Sequence, residues 1–167
     1  AGPIGLLAAL IGAQHGLSVH VLDRHKTGPK PKLVRDLGGA YHDSLASLQQ
    51  RQFDVVMECT AASALIADAI TRCAPSGIVC LVGVSSAGRK DEFDIGGLNR
   101  KLVLDNGVVF GTVNANRRHY ENAARALAKA NRDWLDGVIS RRVPLARWQE
   151  AFIPQPDDIK VVIDFSS

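Results

Sequence analysis

Apolar positions along this chain follow two alternating spacings. Leu6, Leu7, Leu10 and Ile11 recur at helical intervals after Gly5, and Gly16 follows as a stop, so a helix starts at the glycines. Residues 17–23, LSVHVLD, then read as a short β-branched strand ending in an acid. A Pro/Gly-punctuated loop, KTGPKPK, runs into a helix that Pro31 can open, with Leu33, Val34 and Leu37 as its inward stripe. GGAYH carries a brief strand and LASLQQ a short helix. FDVVMECT (53–60) is a continuous apolar strand of the kind buried on both faces.

The alternation continues beyond residue 60. AASALIADAITRCAPSG predicts a helix stopped by Pro75 and Gly77, GIVCLVGV (77–84) a buried strand, and SSAGRKDEFDIGG a loop. LNRKLVLDN is a further helix, and GVVFGTV (107–113) one more strand, placed at a sheet edge. The connections are too long for hairpins, so the economical fold is α/β with a doubly wound parallel sheet. After residue 115 the pattern changes. HYENAARALAKAN is an amphipathic helix, GVISRRVPLARWQEAF pairs a strand with a short helix, and IKVVIDF is a last strand. The domain expectation is therefore 1–115 for a dinucleotide-binding domain and 116–167 for a C-terminal segment packing on it or on a further domain.

Composition narrows the class. At 167 residues and 46% hydrophobic content, the chain can bury roughly 70% of its unfolded surface in one core. Twenty Lys and Arg against 17 Asp and Glu give +3, spread without a block, so no nucleic-acid arm is expected. Cys59, Cys73 and Cys80 sit in apolar runs and never as CxxC, which points to buried reduced thiols and a cytoplasmic protein. No apolar run approaches the roughly 20 residues of a membrane span.

The first five residues carry the most specific chemistry. Gly2 and Gly5 fit the second and third glycines of G-x-G-x-x-G, with the first glycine and its strand lying ahead of the recorded sequence. Gly2 would let backbone approach a pyrophosphate, Gly5 would let helix pack on strand, and the helix N-terminus offers N–H groups and a positive dipole end. Pro3 suits a first turn that needs no N–H. G-x-x-G alone equally describes a plain helix start. Asp23, 18 residues past Gly5 at a strand end, is where a carboxylate can accept both ribose hydroxyls of NAD; the alternative is a solvated strand-end acid. Arg24 adjoins it, with Lys26, Lys30 and Lys32 beyond, and a guanidinium there can stack on adenine or meet a 2′-phosphate. The acid's position favours NAD, with NADP tolerated.

Three further strings, GTVNANRRHYE (111–121), LVGVSSAG (81–88) and IKVVIDF, resemble the glucose dehydrogenases of the zinc-dependent medium-chain dehydrogenase superfamily. The resemblance implies a Rossmann-type cofactor-binding part whose first strand, together with a preceding catalytic domain carrying the zinc ligands, lies outside this sequence. It implies an NAD(P)-dependent glucose 1-dehydrogenase that oxidises the sugar at C1 to the lactone. It places Gly2, Pro3, Ile4 and Gly5 on the pyrophosphate, Asp23 and Arg24 on the adenosine ribose, and Val82, Gly83 and Val84 against the nicotinamide half. Thr112, Val113 and Asn114 would line the nicotinamide, with Asn114 also reaching a sugar hydroxyl, and Lys160 would return near the phosphates. The local alternatives are strand-end packing for Val82–Val84, a turn role for Asn114 and a surface cation at Lys160. Thr60 is either a cofactor contact or a strand-terminal cap. Asn116, Arg117 and Arg118 open the next helix or face solvent. A homo-oligomer, dimer or tetramer, is expected, paired through GVVFGTV.

No catalytic or metal-ligating residue is assigned to this chain. His15, His20, His25, His42 and His119 are scattered and read as locally bonded or solvated. The Tyr-x-x-x-Lys pair of short-chain dehydrogenases has no match, since Ala124 follows Tyr120 and Leu45 follows Tyr41 at that offset. G-x-S-x-G and Walker motifs are absent. The competing readings are a non-catalytic NAD(H)-binding module and another zinc-type alcohol or polyol dehydrogenase.

Overall fold

A computed structural model of the chain describes residues 1–86 and 92–166. All strand pairings among them are parallel: β1 (His20–Leu22) with β2 (Ala40–His42), β4 (Cys73–Leu81) between β3 (Phe53–Glu58) and β5 (Val108–Gly111), and β6 (Arg141–Pro144) with β7 (Val161–Asp164). The contacts divide the chain into two compact units, 1–47 with 116–167, and 48–115.

In the first unit, α1 (Pro3–Gln14) buries Leu6, Ala9 and Leu10 against Val21 of β1 and against Leu33 and Val34 of α2 (Pro29–Asp36). Gly28, just before α2, has φ of 93°, a left-handed conformation that favours glycine. The C-terminal segment completes this core. After α5 (Arg117–Lys129), whose N-cap Asn116 and His119 form a reciprocal capping box, α6 (Arg132–Val138) inserts Trp134 and Val138 beside Ile159. The Trp134 indole N–H donates to the Leu33 carbonyl at 2.8 Å, so the ring's one polar atom is satisfied where the ring is buried. The β6–β7 connection, which includes a 3₁₀ stretch at Leu145–Phe152, is braced by Arg141. Its guanidinium donates to both Asp158 oxygens, at 3.1 and 2.8 Å, and to the Glu150 and Ile153 carbonyls.

In the second unit, one face of the β3–β4–β5 sheet packs on α3 (Ser63–Arg72) and α4 (Ile95–Leu104). Val79 is fully enclosed there among Ala69, Ile70, Cys73, Leu98 and Leu102. The opposite face is open: Val55, Ile78 and Val108 align across the sheet and are exposed, as are Met57 and Phe110 in the next row.

Several expectations are corrected. FDVVMECT is not buried on both faces, since an apolar run specifies a strand but not whether a layer covers each side. The predicted strand at 17–23 shrinks to three residues. α2 opens at Pro29 rather than Pro31, because Pro29 already has the fixed φ of a first turn. α3 ends at Arg72 and β4 starts at once, taking in Pro75 and Gly77, which were expected to separate them. Gly77 is buried so tightly that a Cβ would stand 2.6 Å from Cys73 Sγ and 2.7 Å from the Ala74 carbonyl. α4 begins at Ile95, inside the expected loop, because the Asp94 side chain caps it by accepting from Gly97 N at 2.8 Å. The rest of that expected loop, 87–91, lies outside the described residues.

Candidate functional site

The expected cofactor residues divide between the two units. In the first, α1 begins without a side-chain cap, and Gly2 sits in extended backbone with nothing within 4 Å of where a Cβ would stand. Pro3 occupies the first turn, Ile4 is exposed, and Gly5 faces the Ala1 methyl, where a Cβ would come to 3.2 Å. The opening therefore presents bare backbone and the positive end of a helix to the space beside Gly2.

Asp23 adjoins this opening. It follows β1, donates its N–H to the His42 carbonyl at 3.0 Å, and is only 8% exposed. Oδ1 accepts from His25 N at 2.9 Å and lies 2.6 Å from His25 Nδ1. Oδ2 accepts from Lys30 Nζ at 3.3 Å and pairs with the Ala1 amino terminus. Lys30 is equally enclosed, and its ammonium is 3.2 Å from His25 Nδ1. The Lys30 charge, helped by burial and by Arg24, pushes the His25 pKa down; burial, then Arg24, pushes Lys30 down. The loop is held by the Tyr41 hydroxyl donating to the His25 carbonyl at 2.5 Å, and by the Asp157 carboxylate, which fills the space a Cβ on Gly28 would need. Arg24 is exposed. Sequence reasoning missed the His25–Asp23–Lys30 cluster; the only signal was a lysine seven residues after the acid.

Lys160 also belongs to the first unit. Its side chain is exposed, and its carbonyl accepts from the Ser140 hydroxyl at 3.3 Å. Apart from the site, His20 Nδ1 and His42 Nε2 lie 2.9 Å apart with stacked rings, and His15 and His119 serve helix ends.

In the second unit, the remaining residues cluster at the C-terminal ends of adjacent parallel strands, where open α/β sheets bind ligands. β4 and β5 stay in register to Leu81 and Gly111, and Thr112 N donates to the Leu81 carbonyl at 3.0 Å, so Val82–Val84 and Thr112–Asn114 leave the sheet side by side. Val84 and Val113 are each 82% exposed, and Thr112 and Asn114 are exposed too. Gly83 admits no side chain: a Cβ would stand 2.4 Å from Ala61 N and 2.9 Å from Ala61 Cα. Val82 N and Gly83 N both donate to the Glu58 carbonyl, at 2.8 and 3.1 Å.

Glu58, 4% exposed and also missed from sequence, organises the turn after β3. Its Oε1 accepts from the Thr60 N–H at 2.7 Å and hydroxyl at 2.5 Å, and both oxygens accept from Ala61 N. The Thr60 hydroxyl also accepts from Ala62 N at 3.1 Å, so it is engaged locally at both its donor and its acceptor. Ala61, at φ of 62°, is held in the left-handed region by these bonds.

With this geometry the comparisons are specific. Residues 1–165 match the family model described as glucose dehydrogenase C-terminus. The chain belongs to the glucose dehydrogenase C-terminus family. Glucose 1-dehydrogenase of Thermoproteus tenax is 40% identical over 168 residues, covering 98% of this chain and 48% of that protein. Glucose 1-dehydrogenase 1 of Caldivirga maquilingensis is 38% identical over 170 residues, covering 99% and 48%. A solved structure of Haloferax mediterranei glucose dehydrogenase, in complex with NADP, Zn and gluconolactone, superposes with a TM-score of 0.88 at 27% identity, over 99% of this chain and 49% of that one. The chain thus spans about half the length of the curated relatives it matches, and its fold is the Rossmann-type parallel α/β fold of these dehydrogenases.

Among the described residues of this glucose dehydrogenase C-terminus chain, no group of three or more His, Cys, Asp or Glu side chains is placed to share a metal. Burial raises the pKa of each of its three cysteine thiols. None of its described helices is long and apolar enough to cross a membrane.

Proposed function

We propose that this chain is the cofactor-binding part of an NAD(P)-dependent glucose (aldose) 1-dehydrogenase, which oxidises the sugar at C1 to the lactone as hydride passes to the nicotinamide. The observation that carries the reading is the uncapped start of α1 at Gly2, open to a ligand, in a chain whose relatives are glucose 1-dehydrogenases. Gly2 to Gly5 would bind the pyrophosphate through backbone N–H groups and the helix dipole. Asp23 and Arg24 would hold the adenosine ribose. Val82, Gly83 and Val84 would form an apolar wall for the nicotinamide half, Thr112 and Val113 would continue it, and Asn114 would orient a sugar hydroxyl. Lys160 would add charge near the phosphates, and Thr60 would act mainly through its turn. Zinc, when held by donors elsewhere in the full-length protein, would polarise the C1 hydroxyl.

The reading takes 1–115 as the dinucleotide-binding domain and 116–167 as its C-terminal companion, in a cytoplasmic homo-oligomer. β5, at an edge of its sheet, offers a free pairing edge for that assembly, which gel filtration of the full-length protein checks.

The test is glucose oxidation by the full-length protein, followed by reduced-nicotinamide absorbance. Turnover is expected with wild type. Gly2→Val, which fills the open space, should raise the cofactor KM at least about tenfold. No glucose-dependent reduction of either cofactor would overturn the reading.

A further inference from the structure

A carboxylate at the end of this strand favours NAD in two ways: it accepts from the ribose hydroxyls, and its charge repels a 2′-phosphate. Both require that its oxygens and its charge face the ligand. In this chain both are weakened at Asp23. Its side chain is 5% exposed, Oδ1 is taken by His25, and Oδ2 is taken by Lys30. The lysine is as enclosed as the acid, and an enclosed ion pair is screened by water far less than a surface one. The Lys30 charge, then burial and Arg24, lower the His25 pKa, so the side-chain charges on this loop are Asp23, offset by Lys30, and the exposed Arg24 and Lys26. Asp157 faces the same loop at Gly28, and Tyr41 reaches it only through the His25 carbonyl. The acid read from sequence as a barrier to phosphate is therefore neutralised, with a guanidinium left beside it.

We propose that Lys30, by holding the Asp23 carboxylate, sets the adenosine-ribose site of this chain to accept a 2′-phosphorylated cofactor in preference to the unphosphorylated one. The proposal rests on the reading of Gly2 and Asp23 as the cofactor site, and it makes Lys30 a positioning residue whose charge acts on the ligand jointly with that of Asp23. It reverses the preference for NAD expected from Asp23 alone.

The charge count gives the test, measured on the full-length protein as the ratio of kcat/KM for NADP to kcat/KM for NAD, which cancels general losses of activity. Wild type should favour NADP. Lys30→Met exposes one uncompensated negative charge and should lower the ratio about tenfold, mainly through the KM for NADP; Asp23→Asn leaves one extra positive charge and should raise it by a similar factor. Asp23→Asn/Lys30→Met again has a neutral pair and should return to within about threefold of wild type. If Lys30→Met fails to fold with an unpaired buried acid, the double variant still decides, because a ratio equal to that of Asp23→Asn alone means that Lys30 plays no part. That result, or a wild type that prefers NAD, overturns the proposal. Fluorescence titration of wild type with NADPH and NADH separates the two levels. Binding of neither cofactor removes the proposed function itself, whereas binding of both with a ratio insensitive to Lys30 removes only this inference.

Discussion

The two units hold their candidate cofactor residues by different means. The unit built from 1–47 and 116–167 joins nine buried residues from both ends of the chain into one cluster and encloses Asp23 and Lys30 at its margin. The unit of 48–115 has four buried residues in its cluster, on one face of its sheet, and leaves Val55, Ile78 and Phe110 exposed on the other. What positions its strand ends is a buried Glu58 carboxylate that accepts from the N–H groups of 60 and 61, and the close passage of Gly83 against Ala61. The first set thus depends on side-chain packing, the second on hydrogen bonds and a missing Cβ, and the two should fail under different substitutions.

The largest effect is expected at Trp134. Replacing it with Ala removes a buried ring and orphans the Leu33 carbonyl, which should cost about 3–5 kcal/mol in denaturant unfolding of the full-length protein. Because α2 carries both Leu33 and Lys30, NADPH affinity should fall with it. A cost under about 1 kcal/mol would break the contrast by showing that the cluster does not support the Asp23 and Lys30 segment. Next is Gly83→Ala. Its Cβ meets backbone rather than a movable side chain, so the turn must shift at a cost of about 1–3 kcal/mol. Glucose turnover should fall far more than unfolding stability does, with NADPH binding through the first unit largely kept. Unchanged kcat/KM would show that the close passage at Ala61 does not position the strand end.

Much of this was legible from local signals. The glycine start of α1, the α2 stripe at Leu33 and Val34, the acid at the end of β1 and the parallel alternation all depend on neighbours a few residues away. α6 was not read because it has two turns at most and is fixed by Trp134 reaching a carbonyl 101 residues earlier. Lys30, in a Pro- and Lys-rich stretch, reads as solvated until the fold turns it toward Asp23. Glu58 was hidden for a related reason: inside VVMECT it breaks an apolar run, and its partners are backbone N–H groups whose direction only the turn at Ala61 defines. The open sheet face was misread because hydrophobicity records an affinity for cover without saying what supplies it.

The smallest effect expected is a response to acid confined to the first unit. Arg141, by hydrogen bonding, holds the Asp158 carboxyl below its ordinary range, with Gln155 N adding to the effect. A carboxyl whose pKa is lower in the folded than in the unfolded chain stabilises the fold fully above its unfolded value, and that contribution is lost as pH falls through the lowered one. Neutral and mildly acidic solution should therefore leave the β6–β7 connection intact. Below the ordinary carboxylate range, its amides should begin to lose protection, measured against their intrinsic exchange rates at each pH, as Asp158 takes up a proton and releases the Arg141 fork. Asp158→Asn never carries the charge, so protection across β6 and β7 should already be lower at neutral pH and should change little more with acid than protection in β3, β4 and β5. Parallel pH profiles for wild type and Asp158→Asn would mean that the bonds from Arg141 to the Glu150 and Ile153 carbonyls suffice to hold the connection without the ion pair.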